Sequence, residues 1–213
     1  MKSEHSLLSI ESLTKSFFGV PVLRGISLTI SGGETLGLVG ENGAGKSTLM
    51  NLLGGNLQPD AGTMRLEGKE YQPRDAGEAT AAGIAFIHQE LNLFPNLSVP
   101  ENIFLTAFPK AGPIIRRSQL HRQTRSLLEQ VGLDLEPKIT VEHLSAGERQ
   151  LVEIAKALNL EARIIIFDEP TTSLSHRETE HLFTLIERLQ QRGVARSCLD
   201  RRRWWRAAGT RWV

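Results

Sequence analysis

Gly40-Glu41-Asn42-Gly43-Ala44-Gly45-Lys46-Ser47 is the stretch that decides how this chain folds; it fits the pattern G-x-x-x-x-G-K-[ST]. It follows the apolar run of residues 35–39 and precedes a segment of helical period at 48–53. That strand, loop and helix order is the setting in which the pattern has a mechanism. Gly43 and Gly45 let backbone N–H groups turn inward around an anion, and the N-terminus of the next helix adds partial positive charge. Lys46 can reach outer phosphates and Ser47 can offer a hydroxyl to Mg2+. The expected phosphate-binding set is Gly40, Glu41, Asn42, Gly43, Ala44, Gly45, Lys46, Ser47 and Thr48.

A second apolar run, Ile164-Ile165-Ile166-Phe167, ends in Asp168-Glu169. Alone it is as well explained by a strand with two surface acids at its end. Beside a phosphate loop it reads as a central strand delivering acids to its C-terminal edge. Asp168 is then expected to hold Mg2+ through water, and Glu169 to polarise the attacking water.

Working outward, apolar runs at 35–39, 84–87 and 164–167 alternate with helical patterns at 48–53 and 178–189. This is the rhythm of an α/β domain with buried parallel strands. Residues 7–13 and 22–30 read as strands about a turn at 19–21, an antiparallel entry to the domain. Residues 91–143, with Pro95, Pro100, Pro109 and Pro113, read as an inserted helical segment. The expected fold class is α/β: a P-loop NTPase with a central mostly parallel sheet, N-terminal antiparallel β strands and an inserted helical subdomain. The expected boundaries are 1–195 for the domain, with the helical subdomain at about 91–160 within it.

Composition agrees with a folded domain: 213 residues, 40% apolar. No apolar run reaches membrane-spanning length and the N-terminus lacks a signal-peptide pattern, so a chain without a span is expected. The formal charge of +1 divides into −4 over residues 1–195 and +5 over 196–213. A mildly acidic body argues against general nucleic-acid binding. The single cysteine, Cys198, excludes an internal disulfide.

Leu144-Ser145-Ala146-Gly147-Glu148-Arg149-Gln150 stands just before the helical run of residues 151–158. Ser145 and Glu148 have the S-x-x-E spacing of a capping box. With a phosphate loop elsewhere in the chain, Ser145 and Gly147 also read as a second phosphate-binding helix end, serving a partner's nucleotide. Glu148 either faces that phosphate or turns back into the box.

In this ordered set the chain resembles the ATP-binding subunits of ABC transporters over residues 7–195. The resemblance implies ATP hydrolysis with Mg2+ in a head-to-tail sandwich with a second ATP-binding domain. It implies that Gln89 ends a mobile loop sensing Mg2+ and γ-phosphate, adding Gln89 to Lys46 and Glu169 as catalytic and to Ser47 and Asp168 at the metal. It further implies that Phe17 stacks on adenine, although Phe17 and its neighbour Phe18 could instead be core. The family's usual L-S-G-G-Q is altered here at Ala146 and Glu148, and its frequent aspartate at Ser175. The wording of residues 40–55, 84–105 and 167–175 looks like importers of ribose, galactose and other monosaccharides. Those proteins carry two ATP-binding domains, of which this would be the first. Implied partners are membrane-spanning permease subunits and a periplasmic sugar-binding protein, at the cytoplasmic face of the inner membrane. Alternatives are a nucleotide-binding remnant without transport activity and an ABC ATPase outside transport.

Residues 196–213 depart from all this, holding six arginines and all three tryptophans. The family continues into an apolar strand and a γ-phosphate histidine, which by spacing falls where Arg201 stands. No strand pattern precedes Arg201, and a truncation or frameshift after residue 195 with impaired turnover is the expectation. His176 and His181 are five apart and so do not share a helix face as zinc ligands would. Arg116-Arg117 reads as a solvated face.

Overall fold

Strands β1 (Ser6–Phe17) and β2 (Val20–Ser31) pair antiparallel, with Leu8 opposite Ile30 and Ile10 opposite Leu28. Phe17 pairs with Val20, so Phe18 and Gly19 form a two-residue connection, both with positive φ (50° and 79°). Such a turn matches the twist of the strands it joins. The computed structural model describes residues 6–38, 41, 43–88, 92–106, 108–111, 114–136, 138–168, 174–191, 195–199 and 210–212.

The chain divides into two units, one of Met1–Phe86, Ala162–Glu169 and Arg188–Val213, the other of Ile87–Glu161 and Pro170–Glu187. In the first, β4 (Ala61–Leu66) adds to β1 and β5 (Lys69–Glu70) to β4, giving the order β2-β1-β4-β5. No element is expected from the sequence between residues 54 and 83; the structure also places α2 (Ala76–Ala81) there, capped by Asp75 accepting from the Glu78 amide at 2.8 Å.

The second sheet of this unit is built from β3 (Thr35–Gly37), β6 (Ile84–Ile87), β9 (Ile164–Asp168), β10 (Ala195–Leu199) and β11 (Thr210–Trp212). Its order is β11-β3-β10-β9-β6, with β10 parallel to both β3 and β9 and β11 parallel to β3. β10 corrects the expectation that no strand precedes Arg201. A slot between two parallel strands presents backbone donors and acceptors that must be paired when buried, whatever side chains arrive there. Arg201 lies outside the described residues.

Ile164, Ile165, Ile166 and Phe167 are all fully buried, as a strand covered on both faces demands. Helix α1 (Lys46–Leu53) buries Leu49, Met50, Leu52 and Leu53 in a core shared with Leu8 and Ile10 of β1, Leu36 of β3 and Ile166 of β9.

The second unit is helical: α3 (Val99–Ile103), α4 (Arg117–Val131), a 3₁₀ turn (Val141–His143), α5 (Ala146–Asn159) and most of α6 (His176–Gln191). A small hairpin, β7 (Lys110–Ala111) with β8 (Ile114–Ile115), interrupts the helical pattern. Buried Asn102 of α3 organises the preceding loop, accepting from the Phe94 amide at 2.7 Å and donating to the carbonyls of Phe94, Leu97 and Ser98. Among the described residues no helix is long and apolar enough to cross a membrane.

Candidate nucleotide site

The loop after β3 closes through backbone contacts. The Ala44 amide donates to the Glu41 carbonyl at 3.1 Å, and Lys46 Nζ donates to the same carbonyl at 2.9 Å. Gly43 and Gly45 adopt φ of 83° and 88°, the left-handed region that glycine enters without penalty. Gly45 carries a second constraint: a Cβ there would lie 2.6 Å from Leu23 Cδ2 and 3.2 Å from the Val22 carbonyl oxygen. The loop is therefore pressed against β2, and Lys46 opens α1 two residues before the helical run at 48–53.

The N-terminus of α1 has no side-chain cap and no acid in its first turn. Without a side-chain cap or a first-turn acid among the described residues, the backbone donors and partial positive charge of this helix end suit an anion. Ser47 is exposed and Thr48 half-buried at this end. The donor set fits a nucleotide's phosphates.

Asp168 ends β9 in a register that can be counted across the sheet. Cys198 of β10 lies opposite both Gly37 of β3 and Phe167 of β9, and Leu199 lies opposite Asp168. Asp168 is thus level with Leu38, the residue that leaves β3 for the phosphate loop, two strand spacings or roughly 10 Å away along the sheet. The Asp168 carboxylate at this edge and the Ser47 hydroxyl at the start of α1 are hard oxygen donors of the kind Mg2+ takes.

Phe17 is 36% exposed and Phe18 wholly so, which removes the option that either is core. Lys15 Nζ stands 5.9 Å from the Phe17 ring centroid and donates to Asp60 Oδ1 at 2.8 Å. Asp60 also accepts from the Ser16 amide at 2.6 Å, and the Lys15 ammonium foremost holds its carboxyl below the usual range. Asp60, which the sequence reading does not single out, thereby fixes the strand end that presents the Phe17 ring.

In the second unit, Ser145 caps α5 and the capping box is complete: Glu148 accepts from the Ser145 amide at 2.7 Å and its own amide donates to Ser145 Oγ at 3.2 Å. Glu148 therefore turns back into the box. A different carboxylate stands at this helix end. Glu178 Oε1 accepts from the Gly147 amide at 3.1 Å and from Ser145 Oγ at 3.3 Å. Glu178 was legible only as a helix residue, yet Ser175-x-x-Glu178 repeats the S-x-x-E spacing and is the signal that finds it.

Glu153 of α5 is 95% buried by its 5% exposure, and that burial pushes its carboxyl up, with Lys156 at 3.8 Å pulling the other way. Lys156 Nζ donates to the Asn92 carbonyl at 2.9 Å, tying the segment after Gln89 to the helix that Ser145 caps. His176 and His181 are exposed, the latter 3.3 Å from the Val131 carbonyl oxygen, and no cluster of three or more metal-ligating side chains exists among the described residues. Of the expected site residues, Gly40, Asn42, Gln89 and Glu169 lie outside the described residues.

The architecture matches solved ATP-binding cassettes. One, an ATP-binding cassette of an ABC transporter in its ADP conformation, aligns at a TM-score of 0.79 and 25% identity, covering 93% of this chain and 82% of that one. Another, a dimeric post-hydrolysis cassette bound to ADP and Pi, aligns at 0.75 and 26% identity, covering 90% and 87%. An arabinose import ATP-binding protein of Burkholderia cenocepacia is 48% identical over 188 residues, 88% of this chain. A putative ribose/galactose/methyl galactoside import ATP-binding protein of Burkholderia ambifaria is 47% identical over 190 residues, 89% of this chain. The chain spans 37% of the length of either relative. The family model described as ABC transporter matches residues 23–172, most of the chain and every element that builds the phosphate loop and the end of α5, and the chain belongs to that family.

Proposed function

We propose that this chain is an ATP-binding and ATP-hydrolysing part of a monosaccharide importer. The observation that carries the reading is the uncapped, acid-free start of α1 behind two left-handed glycines, with Asp168 on the same sheet edge. Residues 40–48 hold the phosphates: backbone amides and the α1 end bind them, and Lys46 exchanges the Glu41 carbonyl for phosphate oxygens. Ser47 and Asp168, with Gln89, hold Mg2+, which supplies charge neutralisation at the β- and γ-phosphates. Phe17 offers a ring face to adenine. Glu169 orients the water, since phosphoryl transfer needs positioning and charge stabilisation more than covalent help.

Ser145 and Gly147 serve the nucleotide of a second ATP-binding domain, so that ATP closes the pair and hydrolysis reopens it. The names of the relatives, import ATP-binding proteins for arabinose and for ribose/galactose/methyl galactoside, support monosaccharides as cargo; an importer of that kind takes permease subunits and a periplasmic sugar-binding protein as this chain's partners. An ATP-hydrolysing part of such an importer sits peripherally on the cytoplasmic face of the inner membrane. Titration of the purified chain with Mg-ATP tests the reading. Saturable binding that falls by two orders of magnitude or more, roughly, in Lys46→Ala is expected for loss of a buried phosphate contact. Binding that is absent, or indifferent to that substitution, overturns it.

A further inference from the structure

The carboxylate of Glu178 joins two helix starts. Through Oε2 it completes the cap of its own helix α6, accepting from the Ser175 amide at 2.9 Å and from Ser175 Oγ at 2.6 Å. Through Oε1 it takes the Gly147 amide and the Ser145 hydroxyl at the start of α5. Those are the two donors that the reading above gives to a partner domain's phosphate. Donors at a helix start are orphaned until an anion or an acceptor arrives, and here the chain supplies its own.

Two anions cannot share that pair of donors. Oε1 lies in hydrogen-bond contact with both, and a phosphate oxygen placed there would meet a like charge at contact distance. Beside the carboxylate lies a cavity of about 340 Å³ whose walls include Arg177, Gln150 and His181. The side chain of Glu178 is half-exposed rather than packed. The cavity, which Arg177 also lines, therefore gives the carboxylate free volume to move into once Oε1 lets go.

We propose that Glu178 is the resident anion of the α5 end, which a second domain's nucleotide phosphate must displace before the two domains close. Resting on the head-to-tail reading above, this makes Glu178 a positioning residue. It holds Ser145 and Gly147 in phosphate-receiving geometry while empty and sets the nucleotide concentration at which closure occurs.

The test uses the full chain, wild type and Glu178→Gln, with a non-hydrolysable ATP analogue and Mg2+. Glutamine keeps an acceptor for the Ser175 cap, as a capping box tolerates either residue, but removes the charge. Nucleotide binding is read by calorimetry at a protein concentration below association, and association by analytical ultracentrifugation. The expected result is unchanged binding by the isolated chain, with half-maximal association at about tenfold lower nucleotide, the scale of one charge-assisted hydrogen bond. A merely structural Glu178 moves association the opposite way. Equal or weaker association of the variant, or no association by either protein while both bind nucleotide, overturns the proposal and leaves ATP binding intact. Failure of both to bind nucleotide, with Lys46→Ala no different, overturns the functional reading itself.

Discussion

The amide of Gly147 and the carboxylate of Glu178, 31 residues apart, meet at 3.1 Å at the start of α5. Gly147 is buried, and a Cβ built there collides with Glu178 Oε1. Glycine at this helical position is therefore required by the carboxylate and not by the backbone.

Gly147→Ala should reveal that through a double-mutant cycle. Alanine gains about 0.5–1 kcal/mol of helix propensity over glycine. In the wild type that gain is offset by the loss of Oε1's two hydrogen bonds, about 1 kcal/mol, so the unfolding free energy should barely change. In a Glu178→Ala background the same substitution should stabilise the chain. Urea unfolding of the four proteins should give a coupling energy of about 1 kcal/mol; additive effects would show that the two residues are independent.

The two loop glycines should respond unequally. Both adopt positive φ, but a Cβ at Gly43 meets nothing within 4 Å among the described residues, whereas at Gly45 it strikes Leu23 and the Val22 carbonyl. Gly43→Ala should cost about 1 kcal/mol from backbone conformation alone. Gly45→Ala should cost about 2 kcal/mol or more, because β2 or the start of α1 must shift. Thermal unfolding without nucleotide checks the order, and equal midpoints would contradict the packing of Gly45 on β2.

Glu153 should make stability fall with rising pH. Its carboxyl is pushed up by burial, so between the ordinary glutamate range and the raised value the native chain binds more protons than the unfolded one. Stability then declines as pH increases through that window. Glu153→Gln removes the titration. Measured against that variant, the wild type should lose stability as pH rises from the ordinary glutamate range toward the raised value. A difference that is flat with pH would place Glu153 in an environment where its charge costs nothing.

Much of this site is legible in the sequence because it is local. Gly43, Gly45 and Lys46 act through the conformation of eight consecutive residues, and that order of types has one economical use. Ile164-Ile165-Ile166-Phe167 reads as a strand buried on both faces because so short a run, rich in β-branched residues, suits a covered parallel strand better than a helix. Ser145 and Glu148 are partners three residues apart, so the box forms from the helix start alone. The choice between Glu148 turning inward or facing a phosphate was open in the sequence, since both use the same side chain. The Ser145 amide at 2.7 Å resolves it.

What the tertiary structure decided are relationships between distant segments. Glu178 reaches Gly147 only because α5 and α6 begin side by side, and its S-x-x-E spacing with Ser175 accounts for only half of its hydrogen bonds. Residues 195–199 carry no apolar alternation, yet they form β10 because the space between β3 and β9 offers unpaired backbone on both sides. The same strand sets Asp168 level with the mouth of the phosphate loop, a register no side-chain pattern encodes. Residue order thus determined which groups are available for phosphate chemistry. Chain folding decided which carboxylate stands among them, because backbone pairing and helix packing bring together groups that sequence spacing keeps apart.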